Sequence, residues 1–268
     1  MTSRSIVFKL VLFFAILPSN YALAEFDHRL WDELLKRHVV TANGGITTRV
    51  DYAGMRFDSG KLQEYLGSIA SVSRNEFEEW DAGEQLAFLI NTYNAATVQL
   101  VLTEYPELDS IRDIGFLFSS PFRRSFISLF AEQVSLDDIE HDMIRRWPQF
   151  EEPRIHFAVN CAAISCPPLR AEAYRGDSLD AQLDANTRRF LSNRDINFLA
   201  GNTLWISKIF DWYGDDFSSD WRGSSSLEEF LADYSEELGL STEQAALLAN
   251  SKIRIRFTAY DWSLNRSR

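Results

Sequence analysis

Hydrophobic spacing along the chain falls into two periods. Phe26, Leu30, Leu34 and Val39, with charges between them, predict an amphipathic helix over 26–41, which Asn43-Gly44-Gly45 breaks. Residues 47–52 read as extended. Leu62, Tyr65, Leu66 and Ile69 predict a second helix over 59–72, and Asn75, with Glu78 three positions on, reads as the N-cap of the next. The strongest pattern lies at 83–104, where Leu86, Leu89, Ile90, Tyr93, Thr97, Leu100 and Val101 form one face. Phe88, Ala95, Val98 and Leu102 occupy the other side. A helix apolar nearly all round belongs in the middle of a domain. Pro106 ends it.

Residues 107–124 show no regular period. Residues 126–136 read as a hairpin turning near Ala131-Glu132-Gln133, and Ser135-Leu-Asp-Asp138 opens a helix over 137–147 with acids in its first turn. Ile155, Phe157 and Val159 then alternate with His156, Ala158 and Asn160, which is strand spacing. A helix is expected at 178–193, a strand and turn at 197–206, and an aromatic, acidic turn at 209–217. Short helices follow at 227–238 and 242–248, and Ile253, Ile255 and Phe257 alternate with Lys252, Arg254 and Arg256 as a half-buried strand. With no internal repeat or linker, the expectation is an α+β fold in one domain over 25–268. Many helices would pack around a small mixed sheet, with the 83–104 helix at the centre.

The first residues are of another kind. Arg4 and Lys9 bring positive charge, 7–17 is apolar but for Lys9, and Ala22-Leu-Ala24 precedes Glu25. This reads as a secretory signal peptide over 1–24, cleaved near Ala24, and predicts a periplasmic or secreted protein. The apolar run is short for a membrane span, and no later stretch approaches that length. No cysteine follows the cleavage position, so no bacterial lipid anchor is expected. The full chain carries a net charge of −12, and loss of Arg4 and Lys9 makes the mature value −12 − 2 = −14. So acidic a chain argues against nucleic acid or an anionic membrane as partner and leaves a small-molecule or peptide ligand.

Candidate chemistry gathers at 154–170. This stretch holds the only two cysteines, Cys161 and Cys166, and one of four histidines, His156, before Pro167-Pro168. Three readings stand. In an exported protein the two cysteines form a disulfide. Alternatively Cys161, just past a strand, is a nucleophile that completes a papain-like or transglutaminase-like set with His156 and Asn160. In the third reading His156, Cys161 and Cys166 bind zinc with His141, although the spacing is not a familiar zinc pattern. On a continuous strand, His156 and Cys161 would face opposite sides about 16 Å apart. The base for a reactive thiol would then be His141, His28 or His38. Asn91 and Asn94, poor helix formers inside the central helix, are expected to brace a neighbouring loop. The acidic run with Glu140 and His141 reads as a solvated helix start and not a metal site. No cofactor is implied.

Gln85-Leu-Ala-Phe-Leu-Ile-Asn-Thr-Tyr-Asn94, Leu136-Asp-Asp-Ile-Glu140, the 156–170 run, Leu204-Trp-Ile-Ser-Lys-Ile-Phe210 and Tyr260-Asp-Trp262 together resemble the domain of unknown function 547 family, over roughly 50–264. Leu89 departs from the tryptophan that members often carry there. Some eukaryotic relatives join this domain to glutaredoxin-like or DEP domains, which hints at thiol chemistry or signalling. The resemblance singles out Asn91, Asn94, Glu140, His156, Asn160, Cys161 and Cys166 and assigns them no role.

Overall fold

A computed structural model describes residues 25–115 and 120–267. The expected signal peptide, 1–24, lies outside the described residues. The fold is α+β, with helices predominating over three small sheets. The expected single mixed sheet is only the third of these.

Helix α1 (Arg29–His38) is shorter than the 26–41 pattern, because the β-branched run from Val39 leaves it as a strand. Strand β1 (Val39–Ala42) pairs antiparallel with β2 (Thr47–Val50), in register Val39 to Val50. Helices α2 (Tyr52–Phe57), α3 (Ser59–Ser71) and α4 (Arg74–Glu78) follow. Ser73, not Asn75, caps α4: its hydroxyl accepts from Glu76 N at 3.1 Å.

The central helix α5 (Ala82–Leu102) starts where the Asp81 carboxylate accepts the Glu84 amide at 2.9 Å. Phe88, Leu89, Ile90, Ala95 and Val101 are fully buried on its several faces. Each large apolar side chain so enclosed is worth roughly 1.5–3 kcal/mol. That burial is the reason this helix organises the fold.

The hairpin forms as β3 (Ile127–Leu129) and β4 (Glu132–Val134), with Leu129 opposite Glu132. Its two-residue turn is Phe130-Ala131, slightly ahead of the expected position, and both residues have positive φ, 53° and 62°. Neither is the Asn or Gly such a turn favours. Packing of the Phe130 ring on Phe77, at a centroid distance of 4.9 Å, holds the conformation instead.

The expected helix at 137–147 is a π-helical turn, Asp138–Ile144, with Arg145 N donating to Glu140 O at 3.0 Å. The strand expected at 155–160 does not form. Pro153–Phe157 is a 3-10 helix, started by Pro153 and by the Glu152 carboxylate accepting Arg154 N at 3.1 Å. Residues 153–160 are buried throughout, and the alternation has another cause. Ile155 and Val159 belong to the apolar cluster around α5, whereas Phe157 enters a second cluster with Phe190, Phe210, Phe217 and Phe230. The segment is the seam between two cores, so its two faces point to two interiors.

Helix α6 (Leu179–Leu191) leads to the mixed sheet, in which β6 (Thr203–Ile206) pairs antiparallel with β5 (Phe198–Ala200) and parallel with β7 (Arg254–Phe257). Between β6 and β7 lie α7 (Ile209–Trp212), a 3-10 turn Gly214–Ser218, α8 (Leu227–Asp233) and α9 (Thr242–Ala249). Among the described residues no helix is long and apolar enough to cross a membrane.

Candidate functional site

The 158–168 loop is positioned by carboxamides. Asn94 on α5 donates to Ala158 O at 3.0 Å and accepts Asn160 N at 2.8 Å. Three residues earlier, Asn91 makes the same pair of bonds to Tyr174, donating to its carbonyl at 2.8 Å and accepting its amide at 3.0 Å. Both are fully buried braces, as expected. Asn160 is a third. Its Nδ2 donates to Pro167 O at 2.7 Å, and its Oδ1 accepts from Ala162 N at 3.0 Å and Asn265 Nδ2 at 3.3 Å. With its carboxamide occupied by the loop, Asn160 does not orient His156, which corrects the expected Cys161, His156, Asn160 set.

The closing residues clamp the loop from outside. Ile164 N donates to Ser263 O at 2.8 Å, Ser165 N to Asp261 O at 3.1 Å, and Asn265 N to Ala162 O at 3.0 Å. Within this frame Cys161 and Cys166 are joined as a disulfide, with Cα atoms 6.1 Å apart. Cys161 is half-buried and Cys166 only 9% exposed. The bridged Cys161 holds no thiolate. The zinc arrangement is not formed either: the two sulfurs bind each other, and no group of three metal-ligating side chains occurs among the described residues.

A cavity of about 120 Å³ opens beside the bridge. Cys161, His156, Glu140 and His141 share its wall with Tyr93, Tyr213, Tyr260 and Trp212, so the chain brings together four of the residues singled out. The 3-10 coiling explains this, because a strand would have sent His156 and Cys161 apart. The other two histidines lie elsewhere, His28 against Tyr65 at 2.7 Å and His38 against Asp58 at 2.9 Å. Glu140 and His141 sit in the π-helical turn, a rare local geometry that is frequent at functional sites. Glu140 is 7% exposed, so it is not part of a solvated helix start.

His156 is oriented by Asp216, a residue that the sequence pattern did not single out. Nε2 lies 2.7 Å from Asp216 Oδ2, and the ring stacks on Tyr213 at a centroid distance of 4.0 Å. Arg145 holds the same carboxylate in a bidentate pair, Nε to Oδ2 at 2.6 Å and Nη2 to Oδ1 at 2.9 Å. Burial alone would raise the Asp216 carboxyl. The hydrogen bonds from His156 and Arg145 outweigh burial and hold it well below the usual carboxylate range. Burial pushes His156 the other way, below an ordinary imidazole, against the opposing pull of Asp216. The stable arrangement is an ionised Asp216 and a neutral His156 whose Nε2–H donates to it. Nδ1 then carries a lone pair and, buried, has no hydrogen-bond partner among the described residues. The Tyr93, Tyr213 and Tyr260 phenols are driven up by burial and by the nearby Glu140 carboxylate, so they remain donors. The one sequence cue for Asp216 was its place in the acidic, aromatic 209–217 turn.

Residues 77–191 match the family model described as Protein of unknown function, DUF547. Over these residues the chain is similar to that family. The match contains α5, the π-helical turn and the disulfide loop, and stops short of the 50–264 span of the sequence resemblance. Asp216 and Tyr260 lie beyond it. No curated protein and no solved structure matches the chain.

Proposed function

We propose that the cavity is the acyl-transfer site of an exported cysteine hydrolase or acyltransferase, acting on a small-molecule or peptide ligand. Cys161, when reduced, is the nucleophile, His156 the general base and Asp216 the group that orients the base. One observation carries this reading. A buried His156, tied through Nε2 to an ionised carboxylate and with Nδ1 unpartnered, shares one cavity wall with a half-buried sulfur. Export rests on the charge and apolar pattern of 1–24 and accords with a disulfide, which persists in oxidising compartments.

The test uses Cys166→Ala, which leaves Cys161 without its bridge. Incubated with a p-nitrophenyl ester, this variant is expected to form an acyl adduct on Cys161, detected by intact mass and peptide mapping. His156→Gln in the same background should slow acylation by about 10²–10⁴, the usual worth of a positioned general base. Asp216→Asn should slow it through loss of the orienting charge. Acylation at the same rate in the His156→Gln variant sinks the proposal.

A second reading has its own support in the closed S–S bond. It makes the chain a non-enzymatic envelope binding or scaffold protein whose bridge is structural. It expects no adduct in any variant.

A further inference from the structure

Three donors converge on one sulfur of the bridge. The backbone N–H groups of Cys161 and Ala163 lie 3.1 and 3.3 Å from Cys166 Sγ, and the Tyr260 hydroxyl donates to it at 3.2 Å. Between the two amides, Ala162 has φ +62°, the left-handed conformation that turns successive N–H groups toward one point and forms anion-binding nests. Cys161 Sγ has no backbone donor among the described residues; its contact is the same Tyr260 hydroxyl, also at 3.2 Å. Exposure runs the opposite way, since Cys161 lines the cavity and Cys166 does not. A disulfide sulfur is a weak acceptor and gains little from three donors, whereas a thiolate there would gain much.

We infer that the bridge is a thiol-exchange site of fixed direction, in which an external thiolate attacks Cys161 Sγ and Cys166 is the leaving group. The incoming sulfur bonds to Cys161 as the Cys161–Cys166 bond breaks. The electron pair of that bond goes to Cys166 Sγ, a thiolate held by the Cys161 and Ala163 amides and the Tyr260 hydroxyl. With a dithiol reductant, its second thiol attacks the first, closes the reductant's own disulfide and frees Cys161, so two electrons and two protons pass to the chain. The chemical class of the co-substrate is therefore a thiol small enough, or a dithiol exposed enough, to reach the cavity. A lower leaving-thiol pKa speeds exchange, and hydrogen bonds that favour the thiolate over the thiol act in that direction. Burial and Glu140 keep Tyr260 protonated, so it remains a donor throughout. The assignment stands apart from the acyl-transfer reading, although exchange also supplies the free Cys161 that reading uses.

The oxidised full-length mature protein is mixed with glutathione under native conditions, quenched with acid, alkylated and peptide-mapped. Glutathione is expected on Cys161 and the alkyl group on Cys166. Tyr260→Phe, which removes only the hydroxyl, is expected to keep that direction and slow exchange by about threefold or more. The inference is overturned by glutathione on Cys166 or spread evenly, by native protein that exchanges only once unfolded, or by an unchanged rate in Tyr260→Phe. Neither readout involves an ester, so it fails or stands independently of acylation.

Discussion

Removal of the Asn94 carboxamide tests how the site is built. Its Oδ1 and Nδ2 satisfy the Asn160 amide and the Ala158 carbonyl at 2.8 and 3.0 Å, and Asn94 is 2% exposed. In Asn94→Ala both backbone groups stay buried without a partner. Each stranded group costs roughly 1–3 kcal/mol, so the loss should be about 2–6 kcal/mol, a large part of a typical folding free energy. Asn94→Asp separates the two bonds, because a carboxylate still accepts the Asn160 amide but faces the Ala158 carbonyl with no proton to donate. It should be no more stable than Asn94→Ala, since it also buries a charge without a counter-ion. Urea unfolding followed by tryptophan fluorescence gives both values. A loss below about 1 kcal/mol in Asn94→Ala would refute the brace, because relaxation or water would then be satisfying both groups.

Two further outcomes are expected. His28 is 1% exposed, and burial pushes it down to about 3, so the folded state keeps it neutral while the unfolded chain takes up a proton below about 6.5. Its contribution is full above pH 6.5 and is lost as pH falls toward 3, by up to about 1.4 kcal/mol per unit. His28→Gln should therefore flatten stability against pH between 6 and 4, and an unchanged slope in urea melts counts against it. Cys161→Ser with Cys166→Ser opens a loop whose ends are five positions apart, and the chain-entropy cost of so short a loop is about 2 kcal/mol. Scanning calorimetry should show a fall in Tm of about 4–8 °C. A fall beyond about 15 °C would mean that the bridge holds more of the fold than its own loop.

Much of the site was legible as residue type and little of it as geometry. The two carboxamides of α5 could be read as braces from chemistry alone, because a buried amide in a helix must find partners. The disulfide was the first expectation for two cysteines in a chain whose first residues read as an export signal. The alternation at 155–160 misled, because strand periodicity assumes one face in water and here both faces are buried. Asn160 was placed in the catalytic set by type, yet its hydrogen bonds are spent inside its own loop. Asp216 gave no signal beyond an acidic turn, since its role depends on Arg145 and His156, 71 and 60 positions away.

By itself, the sequence determined that a helix apolar on every side would lie at the centre. It also determined that hairpin and helices would fall near their patterned positions, and it marked His156, Cys161 and Cys166 as candidate site residues. These are local consequences of spacing, capping and composition. Tertiary structure alone decided that 153–157 coils and does not extend, that Asp216 and not Asn160 holds His156, and that Cys166 is the sulfur surrounded by donors. The physical reason is common to all three. Each depends on where remote segments bring a hydrogen-bond partner or a second apolar core, and no periodicity within a segment carries that information.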